Sequence, residues 1–180
     1  KVLIACDRTG EPLAPGLHWL DRRTAKPAKA GMFGRAALAL SGDGGVISNL
    51  VGISQGNVLR DAYPQIYAKA EYLMSITGWL TYRLTGALKD AQGSIAGVYP
   101  YDVKKGAWRT SSSLHDILGY KPSHLPHLEA AGSELGRITP RAAEETGLPV
   151  GLPLVAVGGD KQAEVLGAGV TPDDPGIAEI

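Results

Sequence analysis

Cysteine is nearly missing from this sequence of 180 residues: Cys6 stands alone, so an intrachain disulfide is excluded. A lone thiol fits a reducing compartment, and the cytoplasm is the expected location. Net charge is missing as well, because 18 Lys and Arg are balanced by 18 Asp and Glu. With no basic excess and no long run of one sign, nucleic acid and acidic membrane surfaces are not expected as partners. No apolar stretch approaches the ~20 residues that a membrane helix needs. A secretory leader is not expected. Internal repeats, low-complexity tracts and a Gly-x-x-x-x-Gly-Lys phosphate loop are also absent. What remains is one domain, or a domain with a smaller lobe, long enough to bury roughly 70% of its unfolded surface.

The chain opens on "KVLIAC" without an initiator Met and closes on "GIAEI". Both ends read as cuts through a larger protein. Residues 2–6 read as a buried strand, followed by a turn-rich "DRTGEPL" in which Gly10 suits a hairpin bend. "VISNLV" (46–51) reads as a strand. From Val58 to Leu84 the apolar residues recur at spacings of three and four, which predicts a helix interrupted at Pro64 and stopped at Gly86. Residues 87–112 read as loop and short irregular structure. "SSLHDILGY" predicts a short helix stopped at Gly119, and "KPSHLPHL" a Pro-broken linker. "TPRAAEETG" predicts a helix with Thr139 as N-cap, Pro140 in the first turn and Gly147 past the end. Strands and helices alternate late in the chain, as in an α/β fold.

The stretch "LVAVGGDKQAEVLGAG" (154–169) carries the most chemistry. Leu154–Val157 predicts a strand buried on both sides of a parallel or mixed sheet. Gly158 and Gly159 permit close approach by a ligand. Asp160 then falls at the carboxyl end of a strand, where open α/β sheets bind ligands. It also falls at the amino end of the next helix, where partial positive charge favours an ionised carboxylate. Such a group suits taking a proton from a substrate hydroxyl. A plainer reading makes Asp160 a helix cap, stabilising by about 1 kcal/mol. A residue can be both, and the stretch alone leaves the two open.

"GGDKQAEVLGAG" resembles the catalytic-aspartate motif of the FGGY carbohydrate kinases, the family of glycerol kinase, xylulokinase, ribulokinase and gluconokinase. "GEPLAPGLHWLDRRT", "YLMSITGWLTYRLTG", "KDAQGSIAG" and "LPHLEAAGSELGRITPRAAEETGLPVGLPLVAVGGD" resemble other segments of that family, in the family's order; residues 31–57 fit poorly. The resemblance implies a ribonuclease H-like α/β lobe, as in actin, hexokinase and the heat-shock chaperone ATPase. It implies that residues 1–180 form part of the N-terminal sugar-binding domain, without the N-terminal phosphate loop and the C-terminal ATP-binding domain. The implied activity is ATP-dependent, Mg2+-assisted phosphorylation of a sugar or polyol hydroxyl, with a ketopentose such as xylulose or ribulose as the expected acceptor. Asp160 is implied as the general base. Lys161 or Gln162 would bond neighbouring hydroxyls; glycerol kinase carries a glutamine where this chain has Lys161. Trp19 matches a tryptophan that packs on the substrate's carbon face, a usual sugar-binding device. Arg23 matches the family's arginine after Asp21 and is counted with the substrate-binding residues, its role either structural or one of supporting a group that touches substrate. The isolated chain is expected to be inactive, and a homodimer is left open.

Rival constellations are present. "GISQG" (52–56) fits the nucleophile elbow of serine hydrolases, with Ser54 as nucleophile and Asp102 and His124 or His127 as partners. The glycine-rich oxyanion loop expected upstream is not evident, and a plain loop serine is the simpler reading. His124 and His127 are read as part of a solvated linker rather than a metal site, which needs three or four ligands. Cys6 is read as core filler, Glu144 and Glu145 as facing water, and Asp173 and Asp174 as turn residues. Trp79, Tyr82 and Leu84 are read as a buried helix face, and Asp90 as support for a turn. A non-catalytic binding module is the remaining alternative.

Overall fold

Strand β1 (Val2–Cys6) is central in a three-stranded antiparallel sheet, between β2 (Leu17–His18) and β3 (Tyr72–Ser75). The computed structural model describes residues 2–18, 20–25, 49, 51–95 and 98–170. Successive side chains of a strand point to opposite faces, and β1 is apolar throughout, so both faces need cover. Leu3 and Ala5 join Leu73 on one face, packed against Val58 and Leu59 of helix α1 (Gln55–Ala62) and against Leu118, Tyr120 and Leu125. Ile4 and Cys6 join Met74 on the other, packed against Trp79 and Tyr82 of helix α3 (Ile76–Thr85). Each fully buried Leu or Met stabilises by about 1.5–3 kcal/mol. This layering is the α/β arrangement expected. The hairpin is also as expected: the Asp7 carboxylate accepts from the Thr9 and Glu11 amides, and Gly10 takes φ +78°.

The helix expected over 58–84 is instead three helices and a strand. α1 ends at Ala62, α2 (Pro64–Lys69) begins on its proline, and the chain leaves the helix at Ala70 to form β3 before α3. Leu73 and Met74 pair with Ala5 and Ile4 across the sheet and are wholly buried, on opposite faces. Adjacent apolar residues satisfy a helical stripe as well as a two-sided strand; the open edge of β1 decides for the strand. Of the strand expected over 46–51, Asn49 and Val51 are helical and the other residues lie outside those described. The Val51 carbonyl accepts from the Asn57 side chain at 2.9 Å, which ties this segment to α1 rather than to a sheet.

The 87–112 region expected as loop and short irregular structure contains β4 (Lys89–Ala91), a 3-10 turn (Gln92–Ser94) and the hairpin β5 (Tyr101–Asp102) and β6 (Ala107–Trp108). β4 pairs in parallel with β7 (His127–Glu129), and β8 (Glu134–Arg137) pairs antiparallel with β9 (Pro153–Val155). Helices α4 (Ser112–Leu118) and α5 (Pro140–Thr146) stop at left-handed Gly119 and Gly147, and Thr139 caps α5 through the Ala142 amide. A buried cluster of Ala91, Leu135 and Ala156 draws the ends of β4, β8 and β9 together, and α6 (Asp160–Gly167) follows. The expected solvated linker is corrected in part. His124, Leu125 and Pro126 are buried whereas His127 is exposed, because Leu125 belongs to the main core. No helix among the described residues is long and apolar enough to cross a membrane.

Candidate functional site

Asp160 is the first residue of α6, and Gly159 before it takes the extended N-cap conformation. The cap reading of Asp160 is therefore corrected: it sits one position inside the helix, where its carboxylate accepts from the Lys161 amide at 2.8 Å. The strand that delivers it is shorter than expected and runs antiparallel to β8 rather than within a parallel or mixed core. Val155 and Val157 are 45% and 67% exposed, whereas Ala156 is buried. The pattern differs because β9 has a partner on one side and side chains covering one face only. The Asp160 carboxylate is exposed at the amino end of the helix, open to an incoming hydroxyl.

Lys161 and Gln162 share this first turn. The Lys161 ammonium is paired with Glu164 at 2.5 Å along the helix. Gln162 folds back over the glycine link: a Cβ built on Gly159 would lie 2.5 Å from its side-chain oxygen, and one on Gly158 would lie 3.1 Å from its Cβ. The turn Gln92–Ser94 closes the other side of that link. A Cβ on Gly93 would come within 2.7 Å of the Gly159 nitrogen and 2.8 Å of the Gly158 Cα. Small residues are thus required on both sides, and Gly93 had no mark in the sequence beyond its place in a small-residue run.

Asp90, at the centre of β4, anchors that turn and does more than support one. It is buried and accepts from the Ser75 hydroxyl at 2.5 Å, the Thr77 hydroxyl at 2.8 Å and the Ala91 amide at 2.8 Å. Ser75 in turn caps α3 through the Gly78 amide at 3.0 Å. Burial pushes the Asp90 carboxyl up from its ordinary value, against the pull of these donors. Local sequence shows an Asp beside a turn; the start of α3 on its carboxylate and the pairing of β4 with β7 bury it.

Arg23 belongs to a separate cluster. Its guanidinium grips the Asp21 carboxylate, donates to the Tyr63 hydroxyl at 2.8 Å and lies 5.1 Å from the centre of the Tyr63 ring. These bonds hold the Asp21 carboxyl at about 2. Trp19 lies outside the described residues, as do Asp173 and Asp174.

The hydrolase constellation does not form. Ser54 is fully buried and donates to the Leu118 carbonyl at 2.6 Å. Asp102 faces Arg109 and the Lys104 amide, and His124 is buried beside Tyr67. A nucleophile elbow needs an exposed hydroxyl held by a histidine, and Ser54 has neither. No group of three His, Cys, Asp or Glu that could hold a metal ion exists among the described residues.

The model of the FGGY family of carbohydrate kinases, N-terminal domain, matches residues 1–167. The uncharacterized sugar kinase YgcE of Escherichia coli (strain K12) is 34% identical over 141 residues, which are 78% of this chain and 28% of that protein. The putative sugar kinase YoaC of Bacillus subtilis (strain 168) is 34% identical over 64% of this chain and 23% of its own length. Among solved structures, xylulose kinase from Rhodospirillum rubrum superposes with a TM-score of 0.70 at 23% identity, covering 95% of this chain and 35% of that one. Gluconate kinase from Lactobacillus acidophilus superposes at 0.70 and 17% identity, covering 94% and 34%. The chain therefore spans about a quarter to a third of the length of these proteins. The shared fold is the actin- and hexokinase-like α/β fold.

Proposed function

The chain belongs to the FGGY family of carbohydrate kinases, and from that premise we propose that its protein phosphorylates a hydroxyl of a sugar or polyol with ATP, Asp160 accepting the hydroxyl proton. One observation carries the role of Asp160: an exposed carboxylate at the amino end of α6. As the acceptor oxygen bonds to the transferred phosphorus, its proton passes to the carboxylate, and the bond from phosphorus to the ADP oxygen breaks. Helix α6 favours negative charge at this position. Gln162, released from its fold over Gly159, and Lys161, exchanging Glu164 for a ligand, would bond neighbouring hydroxyls. Trp19 would form the apolar wall of the sugar site, and Arg23 would act through Asp21 and Tyr63.

ATP supplies the phosphoryl group. By the family resemblance, Mg2+ and the nucleotide phosphates would be held by other parts of the protein. Residues 1–180 would act as part of the sugar-binding domain and would not turn over ATP alone. The acceptor proposed is a ketopentose such as xylulose or ribulose; the solved relatives named for xylulose and gluconate share the fold equally and do not discriminate.

The test is phosphorylation of a panel of ketoses, polyols and aldonates by the full-length protein, wild type against Asp160→Asn. The variant keeps size and polarity but removes the base, and a loss of roughly 10²–10⁴-fold in kcat with acceptor binding retained is expected. Equal activity in the two proteins would remove Asp160 from the chemistry.

A further inference from the structure

We propose that Gly93 is a positioning residue for Asp160, holding the Gly158–Gly159 link that aims the carboxylate. The inference rests on the reading of Asp160 as the proton acceptor. Its basis is a backbone-to-backbone contact. A Cβ on Gly93 would meet Gly159 N at 2.7 Å, Gly158 Cα at 2.8 Å and the Gly158 carbonyl carbon at 2.9 Å, and a Cβ on Gly159 would meet the Gly93 oxygen at 2.7 Å. None of these atoms belongs to a side chain that can rotate away.

The turn that carries Gly93 is itself pinned. On its amino side, Asp90 is tied to Ser75 and Thr77, and Ala91 is buried with Leu135 and Ala156. Above it, the Gln92 side chain packs on Gly106 in the β5–β6 hairpin, where a Cβ would lie 2.7 Å from its amide. The Gly158–Gly159 side has less support, since α6 is exposed along nearly its whole length. A methyl group added at Gly93 therefore displaces the glycine link rather than the turn. Ordinary contact begins near 3.4 Å, so the 2.7 Å approach must open by about 0.7 Å, directly before Asp160. A misplacement of about 1 Å costs on the order of 10²-fold in rate.

Gly93→Ala and Asp160→Asn would be made singly and together in the full-length kinase. They would be assayed with whichever of xylulose, ribulose, glycerol or gluconate the wild type turns over best. Gly93→Ala should lower kcat roughly 10–100-fold with KM within about threefold of wild type. In the Asp160→Asn background the same substitution should change the residual turnover less than about twofold, because there is no base left to misplace. Gly93→Ala within twofold of wild type, with Asp160→Asn impaired, overturns the positioning role and leaves the base in place. An equal loss in both backgrounds also overturns it, as a general structural effect. Full activity of Asp160→Asn overturns the base and the positioning role together. Should Gly93→Ala fail to fold, Gly159→Ala meets the Gly93 oxygen at 2.7 Å from the opposite side, with the Gln162 side-chain oxygen at 2.5 Å, and is read through the same cycle made in a Gln162→Ala background, which removes the second contact.

Discussion

Replacing Asp90 tests whether the buried carboxylate joins β4 to the start of α3. It accepts three hydrogen bonds, from Ser75, Thr77 and the Ala91 amide. Bonds to a charged group contribute about 1.5–3 kcal/mol each, but burying the charge offsets much of that sum, which is why burial dominates the upward shift of this carboxyl. Asp90→Ala takes the acceptor from the Ala91 amide and from the Ser75 and Thr77 hydroxyls and leaves a gap in place of the buried carboxylate, and a net loss of about 2–4 kcal/mol is expected. Asp90→Asn keeps an oxygen for the Ala91 amide and the Thr77 hydroxyl, and the Ser75 hydroxyl turns to accept from the new amide, so it should cost only about 1 kcal/mol. The two differ in pH dependence as well. A carboxyl raised in the folded state binds its proton there at a pH where the unfolded chain has already lost it. Its stabilising contribution is therefore full below the ordinary value of 3.8 and fades as pH rises through the folded value. The gap between wild type and Asp90→Asn should narrow from pH 4 to pH 7. Urea unfolding followed by tryptophan fluorescence reads both effects, with a midpoint lowered by about 1–2 M for Asp90→Ala. An Asp90→Ala protein within about 0.5 kcal/mol of wild type would refute the bonding described, since surface substitutions have that size.

Gly119→Ala should destabilise by about 2–4 kcal/mol in the same titration, adding left-handed strain to overpacking; φ is +75° there and a Cβ would lie 2.6 Å from the Asn57 amide nitrogen. A wild-type melting curve for that variant would contradict the left-handed cap. His124 is buried, and its Nδ1 accepts from the Lys121 amide. Burial lowers it from 6.5 to about 4, so its contribution is full above pH 6.5 and is lost as pH falls toward 4. Acidification across that window should cost on the order of 2 kcal/mol. His124→Gln should flatten that part of the stability profile, and an unchanged slope would show that other groups set it.

Local chemistry alone determined the punctuation of this chain. Gly10, Gly86, Gly119 and Gly147 all take positive φ, and Thr139 caps its helix, because only a glycine enters the left-handed region without strain and a hydroxyl can reach the amide of the next turn. The same logic placed Asp160 on the first helical turn after two glycines and made the family resemblance legible. Tertiary structure decided what depends on a distant partner. Tyr72–Ser75 is a strand because β1 has an open edge, and Asp90 is buried because β4 packs on the start of α3 and pairs with β7. Ser54 is silenced by the carbonyl of Leu118, and Gly93 meets Gly158 and Gly159 across a long stretch of sequence. Hydrophobic spacing says which residues seek cover but not which neighbour provides it, because burial is non-directional and strand pairing is non-local.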